Sequence, residues 1–543
     1  MSNSNLTNIV KLYQNECNLS GFTVIFMAVS SGIAQSLILS IITLAANSAS
    51  MDALNTKYLL LYSISFVVFY IGKRYSLVTS ISTAQNIIRQ IRVRLYDKIR
   101  KSHLSFIENN GKGEIYSQIT LNTDMISQTA PTLISGFQSA IVIIFCLIYI
   151  ATLSFLAFFM TVVTLSISFG TYILSQKSFS KDLQETMAME SRFCEMINDG
   201  LDGYKELKMN QKKSDDHFKH LSKISTDTEN LRIKVGLQFA SHMMLSQISF
   251  YLLLAVIGFL MPKLGASYSE LIIRITAAVL FMIGPVNIFV LSIPELFKVN
   301  VSIGILYGLE DRLNNVNEKL HSEQTRIKRI KDFEEIIFDD VIFHYGNKDD
   351  PSFSIGPINL RIRKGETIFI VGGNGCGKTT LLKLMTGLYY HHSGKIKIDN
   401  KILTGSIYQS YRELFSVIYS DFHLFKRLYG IEDIDYEQID ELLTLMQLYT
   451  KTDIVDKEFT NIQLSTGQRK RIAMIVSMLD NKPICIFDEW AADQDPLFKD
   501  YFYDTLLKDL KAQGKTIIAV SHDDRYFDYA DRVLKMEFGN FIT

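Results

Sequence analysis

The feature that constrains this chain most is a stretch of 52 residues, 125–176, that contains no Asp, Glu, Lys or Arg. The hydrocarbon core of a membrane is about 30 Å thick, and an α-helix of about 20 apolar residues spans it. Two such helices joined by a tight turn fit this stretch. A soluble protein would need an unusually thick core to bury the same residues, so the stretch indicates a membrane protein.

Four other stretches also lack charged side chains, and each predicts one further membrane crossing. They cover residues 17–51, 58–72, 235–262 and 275–294. The second is only 15 residues long, and we expect its polar flanks to extend the helix. After residue 295 no stretch of comparable length recurs. We therefore predict an α-helical membrane domain with six spans over residues 1–299.

The distribution of Lys and Arg predicts the orientation in the membrane. Residues 73–124 contain nine Lys and Arg against four Asp and Glu, and residues 177–234 contain eleven of each sign. Segments that are rich in Lys and Arg stay in the cytoplasm. We therefore predict a multi-pass protein of the cytoplasmic (inner) membrane, in which both segments are helices that continue past the bilayer into the cytoplasm.

The overall composition excludes two other classes of protein. The chain has 56 Lys and Arg and 56 Asp and Glu, so it has no global positive field that would attract nucleic acid. Its five cysteines follow no paired spacing, which argues against a disulfide framework and a structural zinc site. We expect membrane lipid, and no nucleic acid, among its partners.

The sequence pattern changes after the predicted membrane domain. Residues 300–332 are charged and lack proline, which predicts a helical linker. Short β-branched runs then alternate with amphipathic helical stretches through residues 333–543. That alternation is typical of an α/β domain with a largely parallel sheet.

One loop in this second half has the pattern of a phosphate-binding loop (P-loop). The strand-like run 367–371 leads into a glycine-rich loop and then a helical stretch. Glycines let backbone N–H groups wrap phosphates, and the helix N-terminus adds partial positive charge. Lys378 is expected to meet the β- and γ-phosphates of ATP, and the Thr379 hydroxyl to ligate Mg²⁺. The predicted ATP-binding residues of the loop are Gly372, Asn374, Gly375, Cys376, Gly377, Lys378, Thr379 and Thr380.

Two more strand-like runs, 484–487 and 516–520, end in polar residues. Asp488 is placed to hold Mg²⁺, Glu489 to polarise the water that attacks the γ-phosphate, and His522 to hydrogen-bond that phosphate. Each strand end by itself is more often structural. Together with the P-loop they predict a site that hydrolyses ATP. The predicted catalytic residues are Lys378, Glu489 and His522, and the predicted Mg²⁺ ligands are Thr379 and Asp488.

A further motif makes the resemblance to a known family specific. Residues 464–471 read Leu-Ser-Thr-Gly-Gln-Arg-Lys-Arg and resemble the signature motif of the ABC (ATP-binding cassette) transporters. The P-loop, this motif, the Asp-Glu pair and the histidine occur in that family's order and at similar spacings. The whole chain resembles an exporter half-transporter, which implies a six-span membrane domain of the ABC exporter type followed by an α/β P-loop ATPase domain.

The resemblance also implies that the site is shared between two chains. In this family each ATP lies between the P-loop of one cassette and the signature motif of another, which implies a homodimer. Ser465, Gly467 and Gln468 would then contact the nucleotide on the partner's P-loop. Tyr345 resembles the aromatic residue that stacks on adenine, and Asp495 resembles the aspartate that communicates across the dimer.

Other positions carry weaker implications. Residues 111–124 and 195–208 resemble the segments that dock the membrane domain onto the cassettes. Ser420 stands where the wider family usually has a glutamine that helps to ligate Mg²⁺. A serine hydroxyl reaches less far, so we expect other atoms of this loop to couple the cargo and ATP sites.

The resemblance narrows to one subfamily. Phrases at residues 354–360, 415–422, 488–496 and 521–524 resemble exporters of cyclic peptides and siderophores, including those of the pyoverdine, syringomycin and lasso-peptide type. This implies ATP-driven export of a cyclic peptide, a lasso peptide or a siderophore precursor. Because the phrases lie outside the membrane domain, a lipid flippase or broad-specificity drug exporter stays open as an alternative. An ATP-gated channel or sensor is the alternative from another class.

Overall fold

The computed structural model describes residues 8, 20–47, 56–264, 269–321, 330, 332–347, 350–405, 407–433 and 435–542. Contacts along the chain divide it into two units. Unit 1 consists of Met1–Lys101 and Glu108–Asn314, and unit 2 of Ser102–Ile107 and Asn315–Thr543. Unit 2 therefore contains a short segment from the first half of the sequence.

Unit 1 is built from long helices. They are α1 (Ser20–Asn47), α2 (Thr56–Arg100), α3 (Leu104–Asn110, which unit 2 shares), α4 (Lys112–Leu153), α5 (Phe155–Asp202), α6 (Tyr204–Met209), α7 (Gln211–Ala255) and α8 (Ser269–His321). A π-helical segment, Val256–Leu260, and a 3₁₀ turn, Met261–Leu264, extend α7. The predicted tight turn within the uncharged stretch consists of Ser154 alone, whose hydroxyl accepts a hydrogen bond from the Ala157 N–H at 3.4 Å.

Four helical segments among the described residues are long and apolar enough to cross a membrane. They are Thr23–Ala45, Lys112–Leu153, Gln211–Leu260 and Leu271–Asn315. Phe155–Gly170 is a shorter apolar helical segment, and α2 has only residues 58–72 without charge. The predicted long apolar helices are therefore confirmed, whereas the count of six crossings stays a prediction.

The charged segments form helices that are continuous with the apolar ones, as predicted. Helix α2 runs without a break from the uncharged residues into Arg100, and α5 runs through to Asp202. The apolar helices pack through a core that includes Val142, Phe250 and Val279. A buried side-chain bond adds to this packing, because the Gln138 amide donates to the Ser76 hydroxyl at 2.7 Å.

Unit 2 contains the strands of the chain and a set of shorter helices. The strands are β1 (Glu335–Asn347), β2 (Asp350–Arg363), β3 (Thr367–Gly372), β4 (Ser393–Ile398), β5 (Lys401–Ile402), β6 (Phe415–Ile418), β7 (Ile454–Val455), β8 (Glu458–Phe459), β9 (Ile484–Asp488), β10 (Thr516–Val520), β11 (Arg532–Glu537) and β12 (Asn540–Ile542). The helices are α9 (Lys378–Met385), α10 (Tyr408–Arg412), α11 (Tyr436–Leu445), α12 (Thr466–Asp480), α13 (Pro496–Tyr501) and α14 (Leu507–Ala512).

The central sheet has the strand order β12-β11-β3-β10-β9-β6, and the pairs from β11 to β6 are parallel. Both faces of its middle strands are covered, since Ile368 and Ile370 pack into one hydrophobic cluster and Phe369 packs into another. This two-sided burial explains why these strands read as continuous apolar runs in the sequence. The carboxyl ends of β3, β9 and β10 lie at one edge of the sheet.

The segment Ser102–Ile107 packs within unit 2. The His103 ring lies 4.3 Å from the Tyr390 ring, centroid to centroid, and Leu104 packs against one of the two hydrophobic clusters. The predicted docking segments, 111–124 and 195–208, belong to unit 1. Their docking role stays a prediction, and the segment that joins unit 2 lies earlier in the chain.

Candidate functional site

The glycine-rich loop joins the end of β3 to the start of α9, as the sequence predicts. Gly377 precedes the first residue of α9 and has a φ of 107°, a left-handed conformation that favours glycine. A Cβ atom at Gly377 would lie 3.1 Å from both Phe353 and Met536 side-chain atoms. The loop is therefore closely packed against β2 and β11 on this side, and the Gly377 carbonyl accepts the Leu381 N–H at 2.8 Å in the first turn of α9.

Lys378 is buried within this loop, with its side chain only 5% exposed. Its ammonium donates to the main-chain oxygens of Gly372 at 3.1 Å and Gly373 at 3.0 Å. The same nitrogen lies 3.8 Å from the Glu489 carboxylate. Because the two hydrogen-bond acceptors of this buried ammonium are neutral, an anion that replaces them would form stronger hydrogen bonds with it, between two charged groups.

A cavity of about 470 Å³ opens beside the loop. Its lining includes Asn374, Gly375, Gly377, Lys378, Thr379, Thr380, Tyr345, Phe353 and Glu489. The Tyr345 hydroxyl lies 3.3 Å from the Thr380 hydroxyl and donates to the Tyr389 hydroxyl at 3.1 Å. The structure thus brings the predicted aromatic residue to the predicted loop. Sequence reasoning missed Phe353, a second aromatic wall of the same cavity.

Asp488 ends β9 beside the P-loop. Its Oδ2 accepts hydrogen bonds from the Thr379 hydroxyl at 2.9 Å and the Ser420 hydroxyl at 3.1 Å. Its Oδ1 is buried and has no hydrogen-bond partner among the described residues. Burial raises the pKa of the Asp488 carboxyl above its ordinary value, since a low-dielectric site disfavours the charged form.

These oxygens fit the requirements of Mg²⁺, which prefers carboxylate, hydroxyl and water ligands and keeps several waters or phosphate oxygens. Thr379, Ser420 and Asp488 supply four side-chain oxygens within one cluster, two hydroxyl oxygens and two carboxylate oxygens. The buried Oδ1 of Asp488 can ligate a cation without the loss of a hydrogen bond to any described residue. Ser420, which sequence reasoning set aside as too short, touches Asp488 directly through its hydroxyl.

Glu489 and His522 meet beyond the same edge of the sheet. His522 Nε2 lies 2.9 Å from the Glu489 Oε1. Glu489 has a φ of 52° and a ψ of 35°, a left-handed conformation that costs a non-glycine residue about 1–2 kcal/mol. The turn aims its carboxylate at the cavity and at Lys378. The three predicted catalytic side chains are therefore close together.

The signature residues lie at the N-terminus of α12. Ser465 accepts from the Gln468 N–H at 3.4 Å, and the Gln468 side chain accepts from the Ser465 N–H at 3.2 Å, a capping box. A Cβ atom at Gly467 would lie 2.6 Å from the Asp493 main-chain oxygen, so only glycine fits there. None of these three signature residues lines the cavity beside this chain's own P-loop.

Asp495 begins α13 and connects it to α12. Its carboxylate accepts the Phe498 N–H at 3.0 Å and the Arg471 guanidinium at 2.6 Å. These two contacts lower the pKa of the Asp495 carboxyl below its ordinary value. Arg471 also lies over the Phe498 ring, 3.6 Å from its centroid. The predicted role of Asp495 across a dimer is not visible in one chain, but the residue is firmly positioned.

Sequence reasoning missed two more residues that contact the site. Lys470 donates to the main-chain oxygen of Glu489 at 2.8 Å, and Trp490 Nε1 donates to the main-chain oxygen of Lys470 at 2.9 Å. Both stand within or beside predicted motifs. Their contacts arise only when α12 packs against the turn after β9, so no local signal marks them.

Family models match both halves of the chain. The model described as the ABC transporter transmembrane region matches residues 19–292, and the model described as ABC transporter matches residues 355–492.

Curated relatives match this chain over nearly its whole length or over part of it. ATP-binding protein SyrD of Pseudomonas syringae pv. syringae is 28% identical over 96% of this chain and 94% of its own length. An ATP-dependent lipid A-core flippase of Methylobacillus flagellatus is 24% identical over 84% of this chain and 79% of its own. Subtilin transport ATP-binding protein SpaT of Bacillus subtilis is 28% identical over 46% of this chain and 42% of its own.

A solved structure is also similar. The structure of a bacterial Atm1-family ABC exporter with ATP bound superposes with a TM-score of 0.76, covering 99% of this chain and 95% of that one. At 14% sequence identity, this similarity concerns the fold alone.

Proposed function

Because the chain belongs to the ABC transporter family, we propose that two copies form a homodimeric exporter for a peptide-type cargo. As a member of that family it is a multi-pass protein of the cytoplasmic membrane, with its ATP-binding domain in the cytoplasm and ATP hydrolysis coupled to transport. We place the membrane domain, with six crossings, at residues 1–299, a linker at 300–332 and the ATP-binding domain at 333–543.

The observation that carries the proposed coupling to ATP hydrolysis is that Lys378, Glu489 and His522 lie close together beside the P-loop cavity. In the proposed site the P-loop residues wrap the phosphates and Tyr345 stacks on adenine. Lys378 exchanges its two carbonyl acceptors for oxygens of the β- and γ-phosphates. Glu489 orients and polarises the attacking water, and His522 binds the γ-phosphate.

We propose that Asp488, Thr379 and Ser420 hold Mg²⁺ in this site. The bound ion would neutralise part of the phosphate charge during hydrolysis. Asp488 must be ionised for this, and the two hydroxyl groups that donate to its Oδ2 favour that state against the effect of burial. In the proposed site, Asp488 is thus a buried carboxylate that can bind Mg²⁺ beside the phosphates of ATP.

The position of the signature residues supports the dimer. Ser465, Gly467 and Gln468 do not line the cavity beside the same chain's P-loop, so we propose that they complete the ATP site of the partner. Two ATP molecules would then be enclosed between two cassettes. ATP binding can shift the membrane halves only because it favours the closed state over the open one.

A cavity in unit 1 supports an amphipathic cargo. It measures about 540 Å³ and lies between α4, α5, α7 and α8, where each helix changes from uncharged to charged sequence. Phe179, Leu183 and Phe239 form apolar walls, and Glu190 and Arg232 are charged groups at the same cavity. The Arg232 guanidinium Nε donates to the Glu190 carboxylate at 2.7 Å. Apolar walls beside an ion pair match a cargo with both apolar and charged groups.

A lipid cargo is the second candidate, favoured by the lipid A-core flippase relative that matches 84% of this chain. The peptide proposal rests on the cassette phrases and on the nearly full-length match to SyrD. Phospholipids also combine apolar and charged groups, so the cavity serves both candidates. Direct transport of each class decides between them.

The test uses inside-out vesicles with ATP and measures accumulation of cyclic peptides and siderophore precursors, alongside translocation of labelled lipid. Gly236 lines the cavity, and a Cβ atom there meets nothing within 4 Å, so the first carbon of the side chain fits and Gly236→Leu should reduce the volume of the cavity. We expect less cargo accumulated per ATP hydrolysed.

The matched control is Gly258→Leu, because Gly258 also has free space around an added Cβ and does not line the cavity. It should transport like the unmodified protein. Normal transport by Gly236→Leu would remove the cavity as the cargo site. Lipid translocation without peptide accumulation would replace the peptide cargo by a lipid.

A further inference from the structure

Lys470 stands out as a buried cation that the proposed chemistry does not use. It lies on α12, five residues after the capping residue Ser465, and its side chain is 3% exposed. A buried ammonium requires charged or polar partners. It has two: the Glu489 main-chain oxygen at 2.8 Å and the Asp493 carboxylate at 2.7 Å. Both partners belong to the turn that follows β9.

Trp490 makes this connection reciprocal. Its indole N–H donates to the main-chain oxygen of Lys470 at 2.9 Å, and its ring is 1% exposed. The ring packs against Phe502 at 4.6 Å between centroids. We call Lys470, Glu489, Trp490 and Asp493 the Lys470 cluster. Within it, the Glu489 main-chain oxygen and two residues that follow it, Trp490 and Asp493, all contact Lys470 of α12.

The contact acts on the backbone of Glu489, which is the strained part of the site. Glu489 is held in the left-handed conformation, with φ 52° and ψ 35°, and its carboxylate direction depends on that conformation. A hydrogen bond from a buried ammonium to the Glu489 carbonyl fixes the orientation of the peptide group. Because a rotation about φ of Glu489 moves its side chain and its carbonyl together, turning the carboxylate away from His522 in this way would also break the hydrogen bond from Lys470.

Neighbouring Arg471 has a separate task. Its guanidinium donates to Asp495 at 2.6 Å and to the Gln494 side chain at 2.9 Å. Consecutive residues of α12 therefore hold consecutive parts of the chain: Lys470 holds the turn that carries Glu489, and Arg471 holds the start of α13. Of these two α12 residues, Lys470 is the one that contacts the proposed hydrolytic residue, Glu489.

We propose that Lys470 is a positioning residue for Glu489 and that it transmits the position of the signature residues to the hydrolytic site of the same chain. This rests on the proposed functions of Glu489 and Ser465. Five residues of helix span about 7.5 Å, so a rigid α12 carries any displacement of Ser465 directly to Lys470. Nucleotide bound by the partner's P-loop then controls where Glu489 points in this chain.

The experiment measures ATP hydrolysis and ATP binding by the full-length protein and its Lys470→Met variant in lipid vesicles. Misplacing a catalytic group by about 1 Å can reduce a rate about 100-fold. We expect kcat to fall by at least about tenfold, with the dissociation constant for ATP unchanged, because Lys470 does not itself line the P-loop cavity and contacts Glu489 only through its main-chain oxygen. Lys511→Met is the matched control, since it removes an exposed ion pair with Asp531 and should keep the full rate.

A double variant separates positioning from general stability. If Lys470 acts through Glu489, then Lys470→Met combined with Glu489→Gln should be no slower than Glu489→Gln alone. A merely structural lysine would lower both rates by the same factor. Equal kcat in Lys470→Met and the unmodified protein, or multiplied losses in the double variant, would overturn the proposal.

Two further measurements keep the result interpretable. The chain has one tryptophan, so the emission of Trp490 reports whether the cluster is still folded in each variant. If Lys470→Met does not fold, Asp493→Asn takes its place, since the Asp493 side chain is 46% exposed and its replacement should disturb folding less. We expect Asp493→Asn to lower kcat by a smaller factor, and we expect no further loss of kcat when it is combined with Glu489→Gln. Normal turnover by Glu489→Gln itself would contradict the proposed function, whereas an inactive Glu489→Gln with a fully active Lys470→Met contradicts only the positioning role.

Discussion

Replacing Lys378 by methionine should weaken ATP binding by about 30-fold, and the structure supplies the magnitude. The Lys378 ammonium donates to two carbonyl oxygens, at 3.1 Å and 3.0 Å, and lies 3.8 Å from the Glu489 carboxylate. Hydrogen bonds from an ammonium are already charge-assisted, so ATP adds mainly the attraction between the ammonium and the phosphate charge, about 4 kcal/mol for unit charges about 4 Å apart at an effective dielectric constant of about 20. Giving up the two carbonyl bonds, at about 1 kcal/mol each, offsets about half of this gain, so methionine should cost about 2 kcal/mol of binding free energy.

The assay is equilibrium binding of ATP to the full-length protein in detergent, with hydrolysis slowed by the cold. Lys383→Met is the control, because Lys383 lies on the same helix, α9, but does not line the cavity. It should leave the dissociation constant unchanged. The thermal midpoint without ATP should change little in Lys378→Met, since the substitution also removes the cost of burying a charge.

Two outcomes would refute this reasoning. Affinity within about threefold of the unmodified protein would mean that Lys378 does not exchange carbonyls for phosphates. Equal weakening by Lys383→Met would assign the effect to the helix as a whole. Either result would mean that Lys378 is not one of the residues that bind the phosphates of ATP.

Three further predictions concern single residues. Bulky thiol reagents should inhibit hydrolysis through Cys376, which lies in the P-loop and is 8% exposed; ATP should protect, and persistent inhibition of Cys376→Ser would assign the effect to another cysteine. Gly467→Ala should lower kcat by about tenfold or more without weakening ATP binding to its own P-loop, because the added Cβ would lie 2.6 Å from the Asp493 main-chain oxygen; an unchanged kcat would contradict the close packing of α12. Hydrogen bonds from Arg525 and Lys499 lower the pKa of Asp523, so the stabilisation by the ionised carboxylate is present above about pH 4 and is lost as the pH falls further toward the folded pKa. Asp523→Asn should therefore have a lower melting temperature than the unmodified protein at neutral pH, and the two melting temperatures should converge in acid. A difference in melting temperature that stays the same at every pH would contradict this.

The sequence was sufficient for those parts of the site that depend on strand order. The P-loop, Asp488 and His522 each follow a buried apolar run, and parallel strands bring their carboxyl ends to one edge of the sheet. Asp488 and Thr379 meet at 2.9 Å for this reason. Periodicity and motif spacing predict such an arrangement before any contact is known.

Other features depend on tertiary packing and left no pattern in the sequence. Lys470 reaches Glu489 only because α12 packs beside the turn after β9. Phe353 lines the cavity because β2, which pairs with β1, packs against Gly377 of the P-loop. Ser420 was identified from its position in the family, but its bond to Asp488 required the geometry.

The membrane half shows the same division. Uncharged stretches predict where helices lie, and the length of the longest stretch predicts a break within it, which the structure places at Ser154. The number of crossings follows less directly, because a 15-residue apolar run becomes a span only with the help of its polar flanks. The short sequence phrases in the ATP-binding domain likewise indicate the relatives of the chain, whereas the cargo depends on the side chains that line the cavity in unit 1.

The most direct test of a shared hydrolytic site is the amount of ATP retained by Glu489→Gln in lipid vesicles. Because this variant keeps the P-loop, the signature residues and Lys378, it should enclose one ATP per chain in a dimer while hydrolysing almost none. Glutamine has nearly the shape of glutamate but cannot act as a base. Near-normal turnover, or release of ATP as fast as from the unmodified protein, would contradict the account.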